Sequence, residues 1–299
     1  MQRINLESFD STRLSCCLWD EVKNPKAVVQ ISHGMSEHIG RYDRFARHLN
    51  AHGFIVFGDD HRGHGLTEND KERGNHKGDM FADTVKDLVF INNYLKNKYK
   101  LPVLFFGHSY GSFLGQAFLE QDTGVAGVAL AGTAYMPRIM MAAGIALLFP
   151  IWLILKNVKP KFINKMPDVL TRKRFNETGD AIWITKDEEI RKEFRKDPLS
   201  NVSMSINFLF CMLKGIFNTW KRKNVVKLKK NIPIGIFCGD SDIVGMYGKQ
   251  VTVLRDKYKK LGVKYVEAHL YESDRHEVIN ETDYEKVFAD LTCFFDSCL

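Results

Sequence analysis

Val103-Leu104-Phe105-Phe106-Gly107-His108-Ser109-Tyr110-Gly111 is the stretch on which the reading of this chain turns. Four consecutive apolar residues, Val103 to Phe106, read as a short strand buried on both faces. The following run, Ser112 to Gln121 (SFLGQAFLEQ), is helical in character. Between them lies a G-x-S-x-G pentapeptide. A serine on a strand-to-helix turn projects its hydroxyl above the sheet, and the turn closes only if the residues two before and two after it are small. Gly107 and Gly111 meet that condition, and with His108 they form the elbow around Ser109. The serine also sits at a helix N-terminus, where the dipole favours developing negative charge. The pentapeptide alone is common; the strand before it and the helix after it make Ser109 the candidate nucleophile.

The same alternation runs outward in both directions. Ala27–Ser32 (AVVQIS) reads as a strand, Tyr42–Ala51 as a helix, Phe54–Gly58 as a buried strand and Met80–Tyr99 as a long amphipathic helix. Val125–Ala131 is the next strand. After a gap come Ile232–Cys238 (strand), a helix around Val251–Leu261, a strand near Val263–Leu270 and a closing helix, Tyr284–Phe295. Strands alternating with helices imply an α/β fold with a mostly parallel sheet flanked by helices. The gap breaks this rhythm with helical, Met-, Leu-, Ile- and Phe-rich sequence. The expected organisation is therefore a core from residues 1–135 and 229–299 with a helical cap from 136–228.

A serine needs a base, and in this architecture the chain order is nucleophile, acid, histidine, each after its own strand. Strand IPIGIFC runs into Gly239-Asp240-Ser241-Asp242, and the strand ending AHLY runs into Glu272-Ser273-Asp274-Arg275-His276. His276 is the candidate general base, because the other histidine beyond Ser109, His269, lies within a strand pattern. Spacing leaves Asp240 and Asp242 both open as the acid, the other being a turn or capping residue. His33-Gly34-Met35 follows the first clear strand, so the backbone N–H groups of Met35 and Tyr110 are the expected oxyanion donors.

The 299 residues are 44% hydrophobic and 26% charged, ordinary values for a globular protein, with no repeat or biased run. Residues 1–10 show no secretory signal pattern, and the six cysteines form neither a CxxC nor a zinc-ligand spacing. The expectation is reduced thiols in a cytoplasm. Residues 135–230 hold 20 Lys and Arg against 8 Asp and Glu, whereas the remainder holds 23 against 28. The cap therefore carries the whole positive excess of a chain with formal net charge +7. No nucleic-acid-binding module accompanies it. His61 and His64 lack the carboxylate spacing of a metal site, and no cofactor is implied.

Ile139–Leu155 (IMMAAGIALLFPIWLIL) is uncharged, shorter than a membrane span and interrupted by Pro150. It reads as a lid helix whose apolar face covers the site and touches lipid, or as a buried cap helix, with a spanning helix the remaining alternative. The adjoining Lys156, Lys159, Lys161 and Lys165 suit an anionic membrane surface, or only water.

Taken together these segments resemble the α/β-hydrolase family that contains monoacylglycerol lipases and bacterial lysophospholipase-like hydrolases. His33-Gly34-Met35-Ser36-Glu37-His38 with Gly40-Arg41-Tyr42 resembles its HGxxEHxxRY segment. Asp60-His61-Arg62-Gly63-His64-Gly65 is similar to its D-x-x-GHG, the 107–111 elbow to its GHSMG, and YESDRHE to its histidine segment. Gly239-Asp240-Ser241-Asp242 resembles G-x-x-D, which favours Asp242 as the acid. Tyr110 stands where Met is usual, Ser112 where a second Gly is common, and Thr67 where Ser is. The resemblance implies an α/β-hydrolase fold with the cap inserted after the sixth strand. It also implies ester hydrolysis of a single-acyl-chain lipid by Ser109, His276 and Asp242. A short-chain carboxylesterase, an aminopeptidase-like hydrolase and a non-turnover apolar-ligand binder are the alternatives.

Overall fold

The computed structural model describes residues 1–299. Its strands are β1 (Gln2–Glu7), β2 (Arg13–Trp19), β3 (Ala27–Ser32), β4 (Phe54–Asp59), β5 (Val103–His108), β6 (Gly127–Ala131), β7 (Ile234–Gly239) and β8 (Val266–Tyr271). They form one sheet in the order β1-β2-β4-β3-β5-β6-β7-β8. The six strands from β3 onward run parallel, while β2 is antiparallel to both β1 and β4. The β1–β2 hairpin is absent from the sequence reading; every other strand and helix of the core falls within a few residues of its expected place.

Strands β3 to β7 are buried along their whole length, as continuous apolar runs in a doubly covered parallel sheet must be. Helices α1 (Asp43–Ala51) and α10 (Tyr284–Ser297) cover one face, packing Phe45, Leu49, Phe288 and Phe295 onto Val29, Phe106 and Phe237. Helices α2 (Met80–Tyr99), α3 (Tyr110–Phe118) and α9 (Lys249–Lys260) cover the other, with Leu88, Leu114 and Leu254 against Phe105, Leu130 and Ile236.

The parallel register brings strand ends level: Ser32 pairs with Gly107, His108 with Ala131, and Gly239 with Tyr271. The loops carrying Met35, Ser109, Asp242 and His276 therefore leave the sheet along one edge, where open α/β sheets bind their ligands.

Between β6 and β7 lie α4 (Arg138–Leu155), α5 (Phe162–Phe175), α6 (Glu188–Lys196), α7 (Ile206–Thr219) and the short α8 (Arg222–Val225). Helix α7 is rooted in the core: Phe208, Cys211 and Ile216 join the same buried cluster as Phe81 and Phe113. Helix α4 differs. Of its 18 residues Met141 alone is buried, and Ile139, Leu147 and Ile154 are 81%, 76% and 81% exposed. The buried-cap-helix alternative is thereby overturned. The apolar surface continues onto α5 through Phe162, Val169 and Leu170.

Candidate active site

The backbone at Ser109 has φ 52°, ψ −117°, a strained conformation for a residue with a side chain. It is held by Ser109 N–H donating to Ala131 O at 2.9 Å and by Ser109 O accepting from Ser112 Oγ at 2.6 Å. Both elbow glycines are required by contact. A Cβ on Gly107 would lie 2.5 Å from Gly111 O, and one on Gly111 would run into the Ser32 carbonyl. The glycines thus let β3, β5 and α3 close around the serine.

Ser109 Oγ lies 2.8 Å from His276 Nε2, and His276 Nδ1 lies 3.0 Å from Asp242 Oδ2. Asp242 is fully buried, and its other oxygen accepts from Val244 N–H at 2.8 Å. Burial by itself disfavours the imidazolium, but the Asp242 carboxylate outweighs it and lifts His276 above the ordinary histidine value. Asp240 is engaged elsewhere. It accepts from Ser273 N–H at 2.8 Å and from Ser241 Oγ at 3.1 Å, joining two loops. Geometry thus separates the two aspartates that spacing left open.

Met35 and Tyr110 border the same cavity as Ser109. Tyr110 is the first residue of α3, so its N–H has no intrahelical acceptor. The peptide before Met35 is oriented from behind. His33 Nδ1 donates to Gly34 O at 2.7 Å, and His33 Nε2 accepts from His61 N–H at 2.9 Å. These two bonds fix the tautomer. Burial keeps His33 neutral, holding it well below the ordinary histidine value. His61 is fixed in turn between Asp59 Oδ2 and Ser32 Oγ, each at 2.9 Å. The Tyr110 ring packs among Phe81, His64 and Phe208.

A second group of site residues had no assigned role in the sequence reading. Glu37 accepts from Gly34 N–H at 2.6 Å, Tyr42 OH at 2.9 Å and Arg41 Nη1 at 2.6 Å. Arg41 also forks onto Glu277, at 2.8 and 2.7 Å. One guanidinium therefore ties the oxyanion loop to the residue following His276. Burial pushes Glu277 up, yet Arg41 prevails and holds it at about 2; for Glu37 burial wins and its value is raised. The available signal was the E-x-x-x-R spacing at 37 and 41 beside the H-E pair at 276–277.

The cavity over Ser109 has a volume of about 490 Å³. Its walls include Phe113, Met136, Met141, Met212, Leu213 and Ile216, most of them from the inserted helices. Two inserted-segment acids also border it. Asp168 is occupied in accepting from Ala181 N–H at 2.8 Å, and Asp180 lies at the exposed rim.

The family model described as serine aminopeptidase, S33 (Hydrolase_4) matches residues 23–283. The monoacylglycerol lipase of Mycolicibacterium smegmatis is 25% identical over 285 residues, 94% of this chain and 92% of its own length. The monoglyceride lipase homolog of Monkeypox virus is 38% identical over 106 residues, 35% of this chain; that match spans only 37% of the viral protein. A solved lipase in its open form superposes with a TM-score of 0.86 at 28% identity, covering 99% of this chain and 98% of the lipase. With a family match running through the six parallel strands β3 to β8, the serine elbow among them, the chain belongs to the Hydrolase_4 family of α/β-hydrolases.

Proposed function

We propose that this protein hydrolyses carboxylic esters of single-acyl-chain lipids, monoacylglycerols or lysophospholipids, through an acyl-enzyme on Ser109. The observation that carries the reading is the unbroken line Asp242–His276–Ser109 opening into an apolar cavity large enough for an acyl chain. In this reaction Ser109 Oγ attacks the ester carbonyl while His276 Nε2 takes its proton. Asp242 holds the Nδ1–H tautomer and faces the imidazolium. The Met35 and Tyr110 N–H groups take the oxyanion. His276 then returns the proton to the leaving alcohol, and water repeats the sequence on the acyl-enzyme.

The inserted helices act as the cap in this reading, and α4 with its flanking lysines makes peripheral contact with an anionic membrane. Six free thiols, four of them buried, fit a cytoplasmic location, and the membrane contact of α4 would then lie at the inner surface. The family description favours a second reading, amide cleavage after an N-terminal residue. A free amine needs an available carboxylate beside the serine. Glu37 and Glu277 are paired with Arg41, and one oxygen of Asp168 is bonded to the backbone, so the carboxylate left for an amine is Asp180 at the exposed rim of the cavity.

A substrate panel tests the proposal: monoacylglycerols and lysophosphatidylcholine of several chain lengths, short p-nitrophenyl esters and aminoacyl amides, each with wild type and Ser109→Ala. Serine-dependent release from the monoacyl lipids is the expected result. Activity confined to short esters or to the amides overturns the lipid assignment, and binding without turnover of any substrate overturns the enzyme.

A further inference from the structure

The segment between α5 and α6 is bonded to the catalytic-histidine loop along its length. His276 N–H donates to Trp183 O at 3.4 Å, and Glu277 N–H to Ile184 O at 2.7 Å. Arg275 Nη1 reaches Ile182 O at 2.5 Å, Thr185 Oγ1 donates to Asn280 O at 2.9 Å, and Lys186 pairs with Asp274 at 2.6 Å. Asp168 anchors the near end through Ala181 N–H. This clamp places the Trp183 ring 4.7 Å from the His276 ring, with 34° between the planes. The indole also forms part of the cavity wall.

We propose that Trp183 is a positioning residue for His276, its indole face stabilising the imidazolium that forms as the serine proton arrives. The inference rests on the reading of His276 as the general base. When the Oγ–H bond of Ser109 breaks and the Nε2–H bond of His276 forms, one positive charge spreads over the imidazole. Asp242 meets that charge in the ring plane at Nδ1, and the indole meets it from the ring face.

Other groups facing His276 leave this face to the indole. His108, from the elbow, has its ring 4.9 Å away; burial lowers it to about 3, so it stays neutral. Glu37 and Glu277 share Arg41. From the inserted segment, Lys161, Lys165, Asp168 and Asp180 border the cavity, and Asp168 is bonded to the backbone of the 181–183 segment, which either substitution leaves in place.

The test is the acid limb of kcat/KM against pH on a soluble p-nitrophenyl ester, for wild type, Trp183→Phe and Trp183→Leu. Leucine keeps an apolar cover over His276 and removes the π face; phenylalanine keeps both. The backbone bond from His276 N–H to residue 183 survives in either variant. The expected result is a downward move of the Trp183→Leu midpoint by about half to one pH unit, with kcat lower by roughly 3- to 10-fold. Trp183→Phe, which keeps a smaller and weaker π face, should fall between wild type and Trp183→Leu. A misfolded fraction lowers the amplitude without moving the midpoint, so a poorly folding variant still reports. A Trp183→Leu midpoint that is unchanged or higher overturns the inference. Absence of serine-dependent turnover in wild type would instead overturn the hydrolase reading. An NMR titration of His276 in wild type and Trp183→Leu then decides the inference: the same downward shift supports it, and an equal or higher value refutes it.

Discussion

Replacing Arg41 by methionine keeps the apolar stem and removes the fork that three hydrogen bonds converge on, at 2.6, 2.8 and 2.7 Å. The two carboxylates it leaves, Glu37 and Glu277, belong to residues only 3% and 4% exposed. Removing one partner of a buried ion pair costs about 3–5 kcal/mol, because the abandoned charge has no water to replace it. With an unfolding entropy near 2.1 cal/mol/K per residue, a chain of this length loses roughly 5–8 °C of Tm. The loss depends on pH with a definite sign. In the wild type Glu277 is held at about 2, so its pairing contributes stability above the ordinary carboxylate range and loses it as pH falls through 2. In the variant burial acts alone, and both carboxylates take up protons as the solution is acidified. The Tm gap between the two proteins should therefore be widest near pH 7.5 and narrow by pH 4.5. Scanning calorimetry at both pH values measures it. Turnover should fall by up to about 100-fold if the oxyanion loop drifts by about 1 Å. A gap below about 2 °C, or one equal at both pH values, would refute the claim that Arg41 neutralises two buried charges.

Four further outcomes are expected. Ser109→Ala should lower turnover by roughly a million-fold and abolish fluorophosphonate labelling while leaving lipid binding in place. Asp242→Asn should lose on the order of 10,000-fold in kcat, with the acid limb moving down because the carboxylate that raises His276 is gone; Asp240→Asn should stay near wild type in the same assay. Gly111→Ala should fail to accumulate as soluble protein, since the new methyl group meets the Ser32 carbonyl and the sheet cannot yield; solubility after expression measures this. The double variant Leu147→Asp, Ile154→Asp should lose co-sedimentation with anionic vesicles yet keep wild-type rates on a soluble short ester.

The core strands were legible because parallel strands covered on both faces have no polar alternation, and VLFF or FIVFG has few other readings. The β1–β2 hairpin was missed although Ile4 and Leu6 alternate with Arg3, Asn5 and Glu7. Its turn, Phe9-Asp10-Ser11-Thr12, lacks the Asn-Gly or Asp-Gly pair that marks a hairpin; Ser11 itself adopts φ 64°. Ser109 and His276 were visible as single positions after strands. Spacing did not separate Asp242 from Asp240; the family resemblance favoured Asp242, and in three dimensions it faces an imidazole while Asp240 faces a backbone N–H across a loop. The Glu37–Arg41–Glu277 bridge joins positions 236 residues apart, a distance that local pattern does not carry. Trp183 is similar: its neighbour is 93 residues away, and nothing in AIWIT marks the indole as facing a histidine.

The division within the inserted helices has a kinetic consequence. Residues 182–186 are fastened to the histidine loop, so they are part of the chemical apparatus. Helix α4 is held from beneath mainly by α7, through Trp152 Nε1 donating to Asn207 Oδ1 at 2.9 Å and the stacked Trp152 and Phe210 rings at 4.7 Å. None of the hydrogen bonds that hold His276 involves α4, so the Asp242–His276–Ser109 line does not depend on how α4 sits on α7. The base and the apolar roof of the cavity thus answer to different side chains, and substitutions along the α4–α7 seam should change the rates of substrates that fill the roof without retuning the base.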